Sequence, residues 1–203
     1  MRLLTYIVLA LTIGVTSCKK GKADIVLKGT ITDATFNSSL TGASVQLFEV
    51  EAGGGEVNLL GTTTIASDGS YSFTFPRNQV ESYIVEVQKE GYYDIDGAIS
   101  LQELSVEEDN VYNYSTTAKA WAGLHFVTSG NGTVTYTRQL GKSGCETCCE
   151  SSTASLTGPI DTMIYCANDG NTTYSYTYNA SGATGLKSVN TVAFDTSIVT
   201  LTF

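Results

Sequence analysis

The chain has 203 residues, 42% apolar and 15% charged, with a formal net charge of −9. That balance supplies material for a packed core and argues against general disorder. It also argues against nucleic acid as a partner, because affinity for phosphate backbones comes mainly from Lys and Arg, and no basic stripe is present.

Residues 1–17 start with Arg2, continue through an apolar run from Leu3 to Val15 and end in small residues. This is the layout of a secretory signal peptide, shorter than the ~20 apolar residues a spanning helix needs. Val15-Thr16-Ser17-Cys18 then resembles a bacterial lipobox. The resemblance implies cleavage before Cys18, diacylglycerol on its thiol, an acyl chain on the new amino group, and residues 18–23 as a tether. A membrane partnership through that anchor follows, since several chains hold firmly where one binds reversibly. Lys19 is not the Asp that retains some lipoproteins at the inner membrane, so the expected address is the outer membrane of a Gram-negative cell envelope. The periplasmic or surface side is left open.

From Asp24 to about Tyr93 the sequence alternates with period two. Ile25, Leu27 and Ile31 share one side of "IVLKGTIT", Val45 and Leu47 one side of "ASVQLFE", and Tyr83, Val85 and Val87 one side of "YIVEVQ". In "SDGSYSFTFP", Tyr71, Phe73 and Phe75 oppose Ser70, Ser72 and Thr74. Strands send successive side chains to opposite faces, so each run predicts a half-buried antiparallel strand. Asn37-Ser38-Ser39, Gly53-Gly54-Gly55, Asp68-Gly69 and Glu90-Gly91 separate them as turns. No helical periodicity persists, and the fold class is all-β, with a first β-sandwich over 24–118.

The order Gly29-Thr30-Ile31-Thr32-Asp33, Gly42 to Leu47, Asp68 to Phe73, Tyr83-Ile84-Val85 and Gly91-Tyr92 resembles the carboxypeptidase regulatory-like domain. The resemblance implies a transthyretin-like sandwich of about seven strands that serves as an accessory module, without catalytic residues of its own.

From Ile99 to Ala120 the alternation loosens, which suggests a last strand and a connector. Glu107-Glu108-Asp109 reads there as a solvated loop, because consecutive acids point in different directions and buried charge is rare. Strand-like runs resume in "AWAGLHFV", "GTVTYT", "DTMIYCA", "TTYSYTYN", "LKSVNTVAF" and "SIVTLTF". They predict a second β-sandwich over 119–203 that resembles no particular family.

Beyond Cys18, the chain carries Cys145, Cys148, Cys149 and Cys166. In an oxidising compartment two disulfides are expected, with three connectivities open. Because Cys148 and Cys149 are adjacent, each should find a separate partner, with Cys145 and Cys166 shared between them. Such bridges would tie the loop "GKSGCETCCESS" to the strand "DTMIYC". A zinc site would normally need a second C-x-x-C knuckle, and a redox motif an α/β fold, so no metal and no cofactor is expected.

Tyr174, Tyr176 and Tyr178 line one face of a strand. They form either a core stripe or an exposed row that stacks on sugar rings. His125, the only histidine, should face away from Leu124 and Phe126, exposed or at a sheet edge. No nucleophile elbow accompanies it. Asp94 to Gly97 and Asn168 to Asn171 could offer oxygens to calcium but fit turns better than a spaced calcium loop.

The function expected from these features is non-catalytic: a lipid-anchored envelope protein that binds or scaffolds, with glycans or other envelope proteins as further partners. Two rival readings are a glycan-binding accessory lipoprotein of an uptake system and a pilus or adhesin subunit.

Overall fold

The computed structural model describes residues 24–149 and 151–203. The expected leader, Cys18 and the tether lie outside the described residues. Among the described residues no helix is long and apolar enough to cross a membrane.

The first sandwich is built from β1 (Asp24–Asp33), β2 (Ser38–Ser39), β3 (Ser44–Glu51), β4 (Val57–Thr64), β5 (Ser70–Pro76), β6 (Val80–Gln88), β7 (Ile95–Ser100), β8 (Asn110–Val111) and β9 (Tyr114–Thr116). One sheet has the order β4-β3-β6-β7 and is antiparallel throughout. The other is centred on β1, which pairs antiparallel with β2 and β5 and parallel with β8 and β9. The alternating rows meet between the sheets: Ile25, Leu27, Ile31, Val45, Leu47, Tyr83, Val85 and Val87 are all buried. Tyr71 and Phe75 join them, with Phe73 partly covered.

Gly29 occupies this inward row because backbone, rather than a side chain, fills its place. A Cβ there would lie 1.7 Å from the Tyr112 carbonyl oxygen. That oxygen accepts from the Tyr71 hydroxyl at 2.8 Å, and the Tyr112 N–H donates to Lys28 O at 2.9 Å.

The loosened segment after Ile99 does more than connect. It supplies β8 and β9, which run beside β1. Asn110 holds the approach: its Nδ2 donates to Val26 O at 3.0 Å and to Ser105 O at 2.9 Å, while its Oδ1 accepts from Ser105 N at 2.7 Å. Asp109 pairs with Lys28 on β1, and both side chains remain about half exposed.

The second sandwich comprises β10 (Lys119–Thr128), β11 (Thr133–Leu140), β12 (Ala154–Thr157), β13 (Ile160–Asp169), β14 (Thr173–Ala180), β15 (Ala183–Asn190) and β16 (Thr196–Thr202). Its sheets are β13-β10-β16 and β12-β11-β14-β15. Strand β16 lies parallel to β10. Ala122, Leu124, Phe126, Val134, Cys166, Tyr174, Tyr176 and Leu201 form its core. The run "LKSVNTVAF" is not one strand: β15 stops at Asn190, and the chain turns before β16.

That turn reaches the first sandwich. Phe194 has φ of 67°, a conformation rare for a bulky residue. Its ring lies 5.4 Å from Tyr92 and stacks at 6.0 Å on Phe36. Gly91, at φ of 81°, leaves room for it: a Cβ would come within 2.8 Å of the ring. Backbone bonds complete the joint, from Lys119 N to Gly91 O at 2.7 Å, Phe194 N to Lys119 O at 2.7 Å, and Gly170 N to Ala118 O at 2.8 Å.

Candidate functional site

Side chains from three separate segments converge at the joint. Tyr93 follows the Glu90-Gly91 turn, Lys142 follows β11, and Asp169 ends β13. The Lys142 ammonium sits 3.8 Å from the centre of the Tyr93 ring and 2.7 Å from Asp169 Oδ1. Lys142 and Asp169 side chains are 23% and 28% exposed, so the pair is partly desolvated. The Tyr93 hydroxyl donates to Asn168 O at 3.0 Å. Burial, reinforced by the Asp169 carboxylate, pushes the Tyr93 phenol up to about 12.

Asn168 organises the same corner from inside. It is 1% exposed, its Oδ1 accepts from Lys142 N at 2.8 Å, and its Nδ2 donates to the hydroxyls of Thr172 and Thr191. Asp169 Oδ1 is held by Lys142 and Thr117, so this oxygen of "NDGN" is committed to the joint. This cluster clamps the two sandwiches together, and the charge on Lys142 is answered from within the molecule.

The cysteines form two disulfides, Cys145–Cys148 and Cys149–Cys166, each with Cα atoms 5.1 Å apart. The adjacent Cys148 and Cys149 take different partners. Only Cys149–Cys166 joins the loop to β13; the other closes within the loop, so the expectation that both would tie loop to strand is corrected. With the sulfurs paired, none of these thiols is free for a zinc ligand set.

Of the two readings of the tyrosine row, the core stripe is the one found, and the sugar-stacking row is corrected. Tyr174 and Tyr176 are 1% and 0% exposed, and Tyr178 packs partly covered against the same core. Tyr176 lies 5.8 Å from Phe126 and 5.9 Å from Tyr136, ring centre to ring centre. Inward packing leaves Tyr174 and Tyr176 no ring face on which a sugar could stack. The alternation of β14 showed one aromatic face, and the position of the opposing sheet decided which way it points.

His125 faces outward from the core but does not sit at an edge, since β10 is the central strand of its sheet. Its Nε2 lies 2.7 Å from Asp161 Oδ1 and its Nδ1 3.4 Å from Thr200 Oγ1. A carboxylate acceptor assigns the proton to Nε2, which leaves Nδ1 to accept from the threonine hydroxyl. The sequence reading missed Trp121 and Tyr165, which share this face. Their alternation was visible, but the register between distant strands was not.

No family model matches the chain, and no curated protein matches it. Among solved structures, it is similar to the minor pilin of the Gram-positive pathogen Streptococcus agalactiae, at 12% identity and a TM-score of 0.34, covering 88% of this chain and 94% of that one. It is also similar to the shaft pilin SpaA of Lactobacillus rhamnosus GG, at 10% identity and a TM-score of 0.36, covering 88% and 96%. A 3-chlorocatechol 1,2-dioxygenase from Rhodococcus opacus 1CP shows 10% identity and a TM-score of 0.32 over 47% of this chain and 60% of that one. TM-scores this low carry no argument about what the chain does.

Proposed function

We propose that this protein is a non-catalytic binding or scaffolding module of the cell envelope, anchored by lipid on Cys18. In this reading its first sandwich is a carboxypeptidase regulatory-like domain. The observation that supports the reading best is the clamped joint. Lys142 between Tyr93 and Asp169, with Phe194 wedged against Tyr92, makes the two sandwiches one stiff body. A stiff body on a short lipidated tether holds its outer faces at a defined distance from the bilayer. Its acidity suits that arrangement, since anionic headgroups repel it.

The test is expression of the full chain in a Gram-negative host, followed by membrane fractionation and intact mass. The reading expects a membrane-bound product starting at lipidated Cys18, and a Cys18→Ala variant that is not lipidated. A wild-type product with its leader intact, or with an unmodified Cys18, would refute it.

A further inference from the structure

The chain contains one tryptophan and one histidine, and both stand on the outer face of β10. Register fixes their neighbours. Trp121 lies beside Thr196, Gly123 between Tyr165 and Ile198, and His125 between Met163 and Thr200. Tyr165 and Ile198 are each 56% exposed, the reverse of what a core-facing row shows.

Gly123 sets the relief of this surface. A Cβ there would meet Ile198 Cγ1 and Met163 Sδ, both at 3.2 Å, so these side chains lean over the glycine. The centre of the sheet is therefore apolar, covered by Met163 and Ile198, with the exposed Tyr165 and the partly buried Trp121 beside it. Polar groups stand along the same face, where His125 bridges Asp161 and Thr200.

We infer that this face is a binding platform for neutral glycans, an inference that rests on the proposed binding role. Three observations select that occupant. First, the chemistry is mixed at the scale of one sugar ring. Aromatic rings pack on the C–H face of a pyranose, while a carboxylate, an imidazole and threonine hydroxyls meet its edge.

Second, the face is small. Three strands ~4.8 Å apart, with the paired length of β16 rising ~3.3 Å per residue, cover on the order of 300 Å². A stable protein–protein interface needs about 800 Å² per partner. Third, among the described residues of this face between Trp121 and Thr202, formal charge is confined to the single carboxylate of Asp161, which His125 hydrogen-bonds. That suits an uncharged ligand, and a second copy of the chain would bring another net charge of −9 against the first.

The single tryptophan makes the test direct, because its emission reports this face alone. The full chain is titrated with cello-, xylo-, manno- and chito-oligosaccharides while Trp121 fluorescence is followed. We expect a saturable shift with at least one series and about tenfold weaker binding in Tyr165→Ala. The exposed Tyr165 can be removed without unfolding the sheet, so the melting temperature should stay unchanged. Ile198→Ser provides a second variant that reads the same surface without touching an aromatic ring, and it should weaken binding too.

Three results would overturn the inference. One is no shift with any series; another is binding unaltered by both substitutions. The third is a shift that follows protein concentration alone, with dimers in sedimentation, which would assign the face to self-association. None of these would disturb the anchoring result, so failure here is distinct from failure of the proposed function.

Discussion

Tyr92 donates its hydroxyl to Asp33 Oδ2 at 2.7 Å, and Asp33 is only 3% exposed. The other carboxylate oxygen accepts from the N–H groups of Thr35 and Phe36, at 2.8 and 3.2 Å. One buried acid thus ties the turn after β1 to the joint. Tyr92→Phe keeps the ring against Phe194 but leaves a buried carboxylate oxygen short of a donor. The expected loss is about 1–3 kcal/mol. For a chain of this size each kcal/mol lowers the melting temperature by roughly 2–4 °C, which thermal circular dichroism would read.

Tyr176 presents the opposite case. Among the described residues, its buried hydroxyl has no hydrogen-bond partner. Tyr176→Phe removes a polar atom that gains nothing in the core, so stability should hold or rise. Tyr176→Ala removes the ring between Phe126 and Tyr136 and should cost about 3–5 kcal/mol, as large-to-small changes at aromatic core positions do. The denaturant midpoint should fall for Tyr176→Ala and hold or rise for Tyr176→Phe.

Alkaline pH should unfold the protein through its tyrosines. Burial holds the phenols of Tyr92, Tyr93 and Tyr174 up to about 12, assisted at Tyr92 by Asp33 and at Tyr93 by Asp169. The unfolded chain ionises its tyrosines near pH 10. A folded value above the unfolded one means the stabilisation is complete below pH 10 and is lost as pH rises toward 12. Absorbance of tyrosinate should therefore rise in two stages, exposed rings first and these three together with loss of the β-sheet signal. A single smooth titration with the sheet intact would contradict this.

The two disulfides should contribute unequally. Cys149–Cys166 spans 17 residues and joins a loop to a core strand, whereas Cys145–Cys148 spans 3. Restricting the unfolded chain gives about 3 kcal/mol for the longer closure and about 2 for the shorter. Replacing Cys149 and Cys166 with serine should thus lower the melting temperature more than replacing Cys145 and Cys148. Equal effects would show that the loop-to-strand link is not what matters.

The rows that read clearly in the sequence are those with unbroken alternation into one core, such as Ile25-Leu27-Ile31 and Tyr71-Phe73-Phe75. Strand β4 was not anticipated because its pairing with β3 shifts register between Leu47 and Phe48, which breaks the period-two signal around Leu59 and Leu60. Strands β8 and β9 escaped notice because Asn110, a polar side chain, does the work that an apolar residue usually does. At β14 alternation identified an aromatic face but could not tell core from solvent, since that depends on which sheet lies opposite. The joint was illegible for a simpler reason: Tyr93, Lys142 and Asp169 come together only after both sandwiches have formed.

In each sandwich the opening strand has a late strand of the same sandwich running parallel at its side, β1 with β8 and β9, and β10 with β16. If the start of β1 is held and the end of β16 is pulled, both pairs are drawn lengthwise, and their ladder bonds must slide and break as a group instead of peeling one at a time. Wherever the chain is fixed to a moving surface, this arrangement gives it resistance to tension along its own length.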